Sequence, residues 1–291
     1  MDAREFEFTP HDFATVRKLI YERAGISLSE AKTDMVYSRL GRRLRVLGLN
    51  SFKTYLDYLQ NEKNADEWEA FINSLTTNLT SFFREEHHFP ILIEHIQQIK
   101  TPITIWCSAA STGEEPYTIA MTACEAFGTL TPPVKIIATD IDTNVLATAA
   151  NGVYPEDRLS KMSEVRCKTF FQRGKGSQQG LVRVRNELRQ MITFQQLNLL
   201  ADTWPLKEPF DAIFCRNVMI YFDKPTQAKI LAKFVPLMKP EAILFAGHSE
   251  NFLYVSDSLK LRGKTVYELT KPGTVIAKQK LFTQRDEANL A

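Results

Sequence analysis

Two adjacent carboxylates, Glu114 and Glu115, follow a run of small residues at 108–113, and this pairing limits what chemistry the segment can do. Pro116 comes next, well suited to the first turn of a helix, where acids are favoured by the positive end of the helix dipole. Just upstream, residues 103–107 (Ile-Thr-Ile-Trp-Cys) read as a short buried strand, rich in β-branched and aromatic side chains. A strand, a small-residue turn and a helix start make a nucleotide-type crevice in which the backbone can approach a ligand closely.

The sign of the charge narrows the ligand. A phosphate at this helix start would meet two carboxylates, and the segment lacks the Gly-x-x-x-x-Gly-Lys-Ser/Thr pattern of a phosphate-binding loop. Hydroxyls, an amine or a sulfonium charge suit the acids, and S-adenosylmethionine offers all three without a phosphate. The alternative is that both acids only complement the helix dipole.

Other candidates follow apolar runs. Asp140 comes after the run 134–138, about one strand–helix unit further on, where an acid can take a ribose hydroxyl pair. It could instead cap a helix starting near Asn144, a job Asp142 fits better. Asn198 and Leu199 follow the run 191–195, where an amide could read an adenine edge or simply form a turn. The apolar run ending at Cys215 delivers Arg216 and Asn217 together, with Tyr221 close behind. Polar groups interrupting such a run are costly unless paired or functional. Residues 75–85 are dense in hydroxyls and amides ahead of Arg84, and Asn78 and Thr80 point the same way if the chain is extended. Capping of a following helix would account for Ser81 alone.

These residues need a scaffold. Residues 6–83 carry a helical pattern, with Val16, Leu19 and Ile20, then Met35, Val36, Leu40, Leu44 and Leu47, at steps of three and four. Gly25 and Gly48 mark helix ends. From Pro102 onward, apolar runs at 103–107, 134–138, 191–195, 212–215 and 242–246 alternate with helical segments. That alternation predicts an α/β fold with a doubly wound, mostly parallel sheet. The expected organisation is a helical N-terminal domain (1–85), a joining helix (86–101), a ligand-binding α/β domain (102–270) and a polar tail (271–291). A small antiparallel β-subdomain is expected as an insert at about 168–190, where Gly174, Gly176 and Gly180 bracket a turn and residues 181–185 alternate in polarity. It could cover a sheet edge, or capture an extended peptide by strand addition. On the helix expected at 33–47, Arg39, Arg42, Arg43 and Arg45 lie opposite the apolar stripe, as a solvated face or as a docking face for an acidic helical partner.

Composition sets outer bounds. The chain has 291 residues, 44% of them hydrophobic, and a net charge of +2, which argues against a dedicated nucleic-acid binder. Four widely spaced cysteines fit a reduced protein. No metal is expected, because His87 and His88 are adjacent with no further cysteine or histidine at ligand spacing. Residues 1–9 are polar, and no apolar run approaches the roughly 20 residues of a membrane span, so a soluble, cytoplasmic protein is the expectation, and a monomer is expected.

Five blocks then carry a resemblance. Thr77-Asn-Leu-Thr-Ser-Phe-Phe-Arg-Glu85, Ala110-Ser-Thr-Gly-Glu-Glu-Pro-Tyr117, Ala138-Thr-Asp-Ile-Asp142, Phe214-Cys-Arg-Asn-Val-Met-Ile-Tyr-Phe222 and Phe245-Ala-Gly-His-Ser-Glu-Asn251 resemble the signature blocks of the CheR chemotaxis receptor methyltransferases. The similarity runs in order from about residue 10 to 270. It implies a class I, Rossmann-like methyltransferase fold, with Asn78, Thr80, Arg84, Glu115, Asp140, Asn198, Leu199, Arg216 and Asn217 lining an S-adenosylmethionine site and S-adenosylhomocysteine as product. It implies glutamate methyl esters on the cytoplasmic helical bundles of chemoreceptors as the reaction, and a receptor C-terminal peptide as a partner for the β-subdomain. A glutamate carboxylate is already ionised at pH 7, so the transfer needs alignment more than a base. Arg84 and Tyr221 are expected to orient the substrate carboxylate and the reacting methyl. A nucleic-acid methyltransferase would want a larger basic excess, and a non-catalytic module would have lost cofactor residues that this chain retains.

Overall fold

Burial explains the sheet. In the computed structural model, which describes residues 4–61, 65–100, 102–207 and 209–270, β1 (Ile103–Cys107) is buried at every position. Its side chains alternate between two cores. Ile103, Ile105 and Cys107 belong to one, and Trp106 packs in the other with Phe210 and Phe234. A strand buried at every position, rather than at alternate ones, is a central strand covered on both faces.

The remaining strands are β2 (Val134–Asp140), β3 (Val153–Pro155), β4 (Phe171–Arg173), β5 (Leu181–Val184), β6 (Ile192–Gln196), β7 (Phe210–Cys215), β8 (Met238–Ala246), β9 (Leu259–Gly263) and β10 (Val266–Leu269). Seven form one sheet in the order β6-β2-β1-β7-β8-β10-β9. The pairs from β6 to β8 are parallel, and β10 joins β8 and β9 antiparallel. This is the expected doubly wound, mostly parallel sheet. The antiparallel β9–β10 edge had no clear sequence signal, being two short segments of mixed polarity.

The insert is larger than a hairpin. β4 and β5 pair antiparallel as anticipated, but β3 adds a third strand from well upstream, giving the order β3-β5-β4. Three residues ending in proline leave almost no strand pattern to read, and Pro155 suits an edge.

Ten α-helices surround the sheets among the described residues: α1 (Pro10–Ala24), α2 (Thr33–Leu47), α3 (Phe52–Leu59), α4 (Ala65–Leu75), α5 (His88–Gln97), α6 (Glu114–Phe127), α7 (Thr143–Asn151), α8 (Glu164–Phe170), α9 (Asn186–Gln190) and α10 (Lys224–Phe234). Thr9 and Asp12 form a capping box at the start of α1, while Gly25 and Gly48 end α1 and α2 in the left-handed conformation. Val16, Ile20, Val36, Leu40 and Leu44 are fully buried in the core of the first four helices. α5 does more than join two parts, since Phe89, Leu92 and Ile96 lie in the same core as the Ile105 face of β1. The 271–291 tail lies outside the described residues.

α5 also buries His88 completely, with Nε2 2.8 Å from the carbonyl of Lys264. Burial, reinforced by the nearby Arg216 charge, lowers its pKa from 6.5 to about 4. The neutral ring is therefore the folded form, while the unfolded chain takes up the proton near pH 6.5. Stability should fall as pH drops from 6.5 towards 4, with this residue contributing about 3 kcal/mol of the loss. Urea unfolding across that range should show a shallower pH slope for His88→Asn than for the parent; equal slopes would exclude His88 as the source.

Candidate active site

Strands β1, β2 and β7 end at one edge of the sheet, beside the point where strand order reverses, and the candidate residues sit on the turns that leave them. The turn after β1 is tight, with Ser111 at φ 47° and Gly113 at φ 99°. A Cβ on Gly113 would lie 2.7 Å from the Tyr154 hydroxyl and 2.8 Å from Ala149 Cβ, so glycine is required both for φ and for space. Asp140, at the end of β2, accepts hydrogen bonds from Ser111 N (2.8 Å) and Asp142 N (3.0 Å). Burial raises its pKa, and those two N–H donors oppose the rise. Asp142 caps α7 through Asn144 N and Val145 N, which leaves Asp140 to the cleft.

Arg216, at the tip of β7, is only 4% exposed. Its Nη1 donates to Glu115 Oε2 at 2.8 Å, and its Nη2 donates to the carbonyl of Arg84 and lies 3.3 Å from Glu85 Oε2. Burial raises the pKa of Glu115, while the Arg216 charge pulls it down. Glu114 has a different job. It is fully buried away from the cleft, ion-paired to Arg158 and accepting from Thr112 Oγ1 at 2.6 Å. Arg158 also donates to the carbonyl of Thr80 at 3.2 Å, so one guanidinium ties the 156–159 turn to the start of α6 and to the 76–80 segment.

Asn78, Thr80, Arg84, Glu115, Asp140, Asn198, Leu199, Arg216, Asn217 and Tyr221 all line one cleft of about 470 Å³. Several side chains are held by the protein. Asn78 Nδ2 donates to Asp142 Oδ2 (2.9 Å), and Arg84 Nη1 donates to the carbonyl of Leu79 (2.9 Å). Asn198 donates to the carbonyl of Arg23 (2.8 Å) and accepts from Leu200 N (2.9 Å), so its amide is partly committed to the protein. Tyr221 sits on a short 3-10 turn, Met219–Tyr221, whose last carbonyl accepts from Ser27 N at 2.8 Å. That bond brings the helical part over the cleft, where Ile26 and Met35 add lining that no sequence motif announced. Glu85 was also missed, although it directly follows Arg84 in one of the quoted blocks.

Two readings change. Ser81 caps no helix: residues 82–87 form turns, and α5 starts after His87 without a side-chain cap. The four arginines of α2 do not form one free face, and none lines the cleft. Arg39 donates to the carbonyls of Ser74 and Thr76, Arg43 grips the buried Glu67 through two nitrogens, and Arg45 pairs with Glu5. Arg42 is exposed. Spacing alone cannot reveal partners on α4 or upstream of α1. Glu85, His87 and His88 bring ligand-type atoms within 4.8 Å of one another, but a cation there would face the Arg216 guanidinium already bound to Glu85.

A mostly parallel sheet of this order, with Glu115 and Asp140 lining the crevice at its switch point, is the fold of a class I methyltransferase. Two family models match: "CheR methyltransferase, all-alpha domain" at residues 11–76 and "CheR methyltransferase, SAM binding domain" at residues 78–267. The chain is 54% identical to a chemotaxis protein methyltransferase of Klebsiella aerogenes over 92% of this chain and 93% of that one. It is 53% identical to the Escherichia coli chemotaxis protein methyltransferase (89% and 91% covered) and 53% identical to chemotaxis protein methyltransferase 2 of Pseudomonas aeruginosa (91% and 95%). The chain therefore belongs to the CheR methyltransferase family and is a methyltransferase of the chemotaxis system. No helix among the described residues is long and apolar enough to cross a membrane.

The Glu114–Arg158 pair gives a direct test of the frame around the cleft. Arg158→Met should cost about 3 kcal/mol, because it leaves a fully buried carboxylate without its partner. Denaturant unfolding would measure this, and adding Glu114→Gln should recover part of the loss. A single variant as stable as the parent would contradict the assignment.

Proposed function

We propose that the chain transfers the methyl group of S-adenosylmethionine to glutamate side chains on the cytoplasmic helical bundle of chemoreceptors, leaving S-adenosylhomocysteine. The observation that carries this reading is convergence. Residues from separate segments between 78 and 221 line one cleft, with Glu115 and Asp140 on its inner wall and Arg84 and Tyr221 beside the exposed rim residues Leu79 and Ile220.

The donor set suits this cofactor. Asp140 is held by two backbone N–H groups and keeps lone pairs for a ribose hydroxyl pair. Glu115, fixed by Arg216, offers negative charge to the cationic part of the molecule. When bound, S-adenosylmethionine supplies an electrophilic methyl carbon on a positively charged sulfur. The receptor carboxylate is ionised at neutral pH, so the residues' task is to align it and exclude water rather than remove a proton. Arg84 takes the carboxylate, and Tyr221, lining the same cleft, orients the reacting groups. Because attacking and leaving charges cancel, a dry cleft favours the transition state over separated charges.

Receptor docking on the outer edge of α2 through Arg42 and Arg45 fits an acidic helical surface. An edge of the β3-β5-β4 sheet offers unpaired backbone groups to an extended receptor C-terminal peptide, which would raise the local substrate concentration. The enzyme would act in the cytoplasm as a monomer, without nucleic acid or a metal.

The two walls of the cleft should separate experimentally. Arg84→Ala should lower kcat about 10²-fold. Asp140→Ala should weaken cofactor binding by about tenfold or more, as read by calorimetry, through loss of charge-assisted hydrogen bonds. Normal turnover in the first variant would remove Arg84 from substrate alignment; unchanged affinity in the second would remove Asp140 from the ribose.

A further inference from the structure

The block at 245–251 supplies no residue to the cleft, yet it grips the loop that does. Glu250 is 5% exposed, and its carboxylate accepts from four backbone N–H groups. Oε2 takes Asn217 N at 3.0 Å and Gly247 N, and Oε1 takes Met219 N at 2.7 Å and Ile220 N at 3.3 Å. Three of these donors belong to the 217–220 turn that carries Asn217 and Tyr221 into the cleft.

The turn is held at a left-handed residue: Asn217 has φ 57°, a conformation asparagine accepts more readily than other non-glycine residues, and its N–H is one of the donors that Glu250 takes. Gly247 closes the grip from the other side: a Cβ there would lie 2.5 Å from Asn217 Nδ2 and 2.7 Å from Asn217 N. The same loop reaches the buried ion cluster, where His248 N donates to Glu85 Oε1 at 3.1 Å and Asn217 Nδ2 donates to that oxygen at the same distance.

We infer that Glu250 is a positioning residue for methyl transfer: its carboxylate fixes the 217–220 turn so that Asn217 and Tyr221 face the cleft in one geometry. This rests on the site reading above. Only a carboxylate supplies two acceptor oxygens to four donors without presenting a donor of its own. A glutamine of equal size turns one end into an N–H₂ group facing backbone N–H groups. Glu250 stays off the reacting atoms, and its effect passes through the turn.

A double-mutant cycle between Glu250→Gln and Tyr221→Phe tests this, with kcat, receptor KM, cofactor affinity and thermal midpoint measured for each protein. Glu250→Gln should lower kcat by about 10²-fold, the scale of a misplacement near 1 Å, and shift receptor KM much less. In the Tyr221→Phe background the same change should cost several-fold less, because the hydroxyl it aims is already gone and only the part that acts through Asn217 remains. Equal fold losses in both backgrounds, or a normal kcat for Glu250→Gln, would overturn the inference. If Tyr221→Phe alone has normal turnover, the Tyr221 role fails; Glu250 then keeps its role only if Glu250→Gln weakens cofactor binding through Asn217, and otherwise falls too. Should Glu250→Gln not fold, Gly247→Ala pushes on the turn from the opposite side and should lower kcat in the same pattern; normal kinetics there would equally overturn it.

Discussion

The Arg216 guanidinium, buried between Glu85 and Glu115, is the constraint on which the rest of the site depends. A charge this deep is tolerable only with its partners in place, since removing one leaves an uncompensated ion in a low-dielectric setting. The three residues come from the tip of β7, the first turn of α6 and the segment before α5. Satisfying one arginine therefore brings three separate stretches together, and the cleft is the space they enclose. The short bond from Arg216 to the Arg84 carbonyl extends the hold to the residue proposed to meet the substrate.

Local chemistry made much of this legible in the sequence. The 103–107 run read as a short buried strand, and small residues followed by two acids and a proline read as a turn entering a helix, with the acids serving either a ligand without phosphate or the helix dipole. Asp140, Arg216 and Asn217 stood out as polar groups at the ends of apolar runs. What stayed hidden was tertiary. Nothing local distinguishes Glu114, which serves the buried pair with Arg158, from Glu115, which faces the cleft. The α2 arginines look like one charged face until α4 and the N-terminal segment claim three of them. β3 and the β9–β10 edge were too short or too mixed in polarity to announce themselves.

The helical part is more than an appendage. Ser27 N bonds to the carbonyl of Tyr221, and the Tyr21 hydroxyl donates to Asp223 at 2.7 Å, so the loop after β7 is held from the N-terminal side as well as by Glu250. A turn fixed from two sides suits a reaction whose barrier depends on alignment, with no proton to move and a nucleophile that is already charged.

The most direct test of this account is incubation of the protein with methyl-labelled S-adenosylmethionine and chemoreceptor-containing membranes, followed by mild alkali. Label should enter the receptor and be released by base as methanol, the behaviour of a glutamate methyl ester. Label that survives alkali, or that appears on nucleic acid instead of receptor, would contradict it.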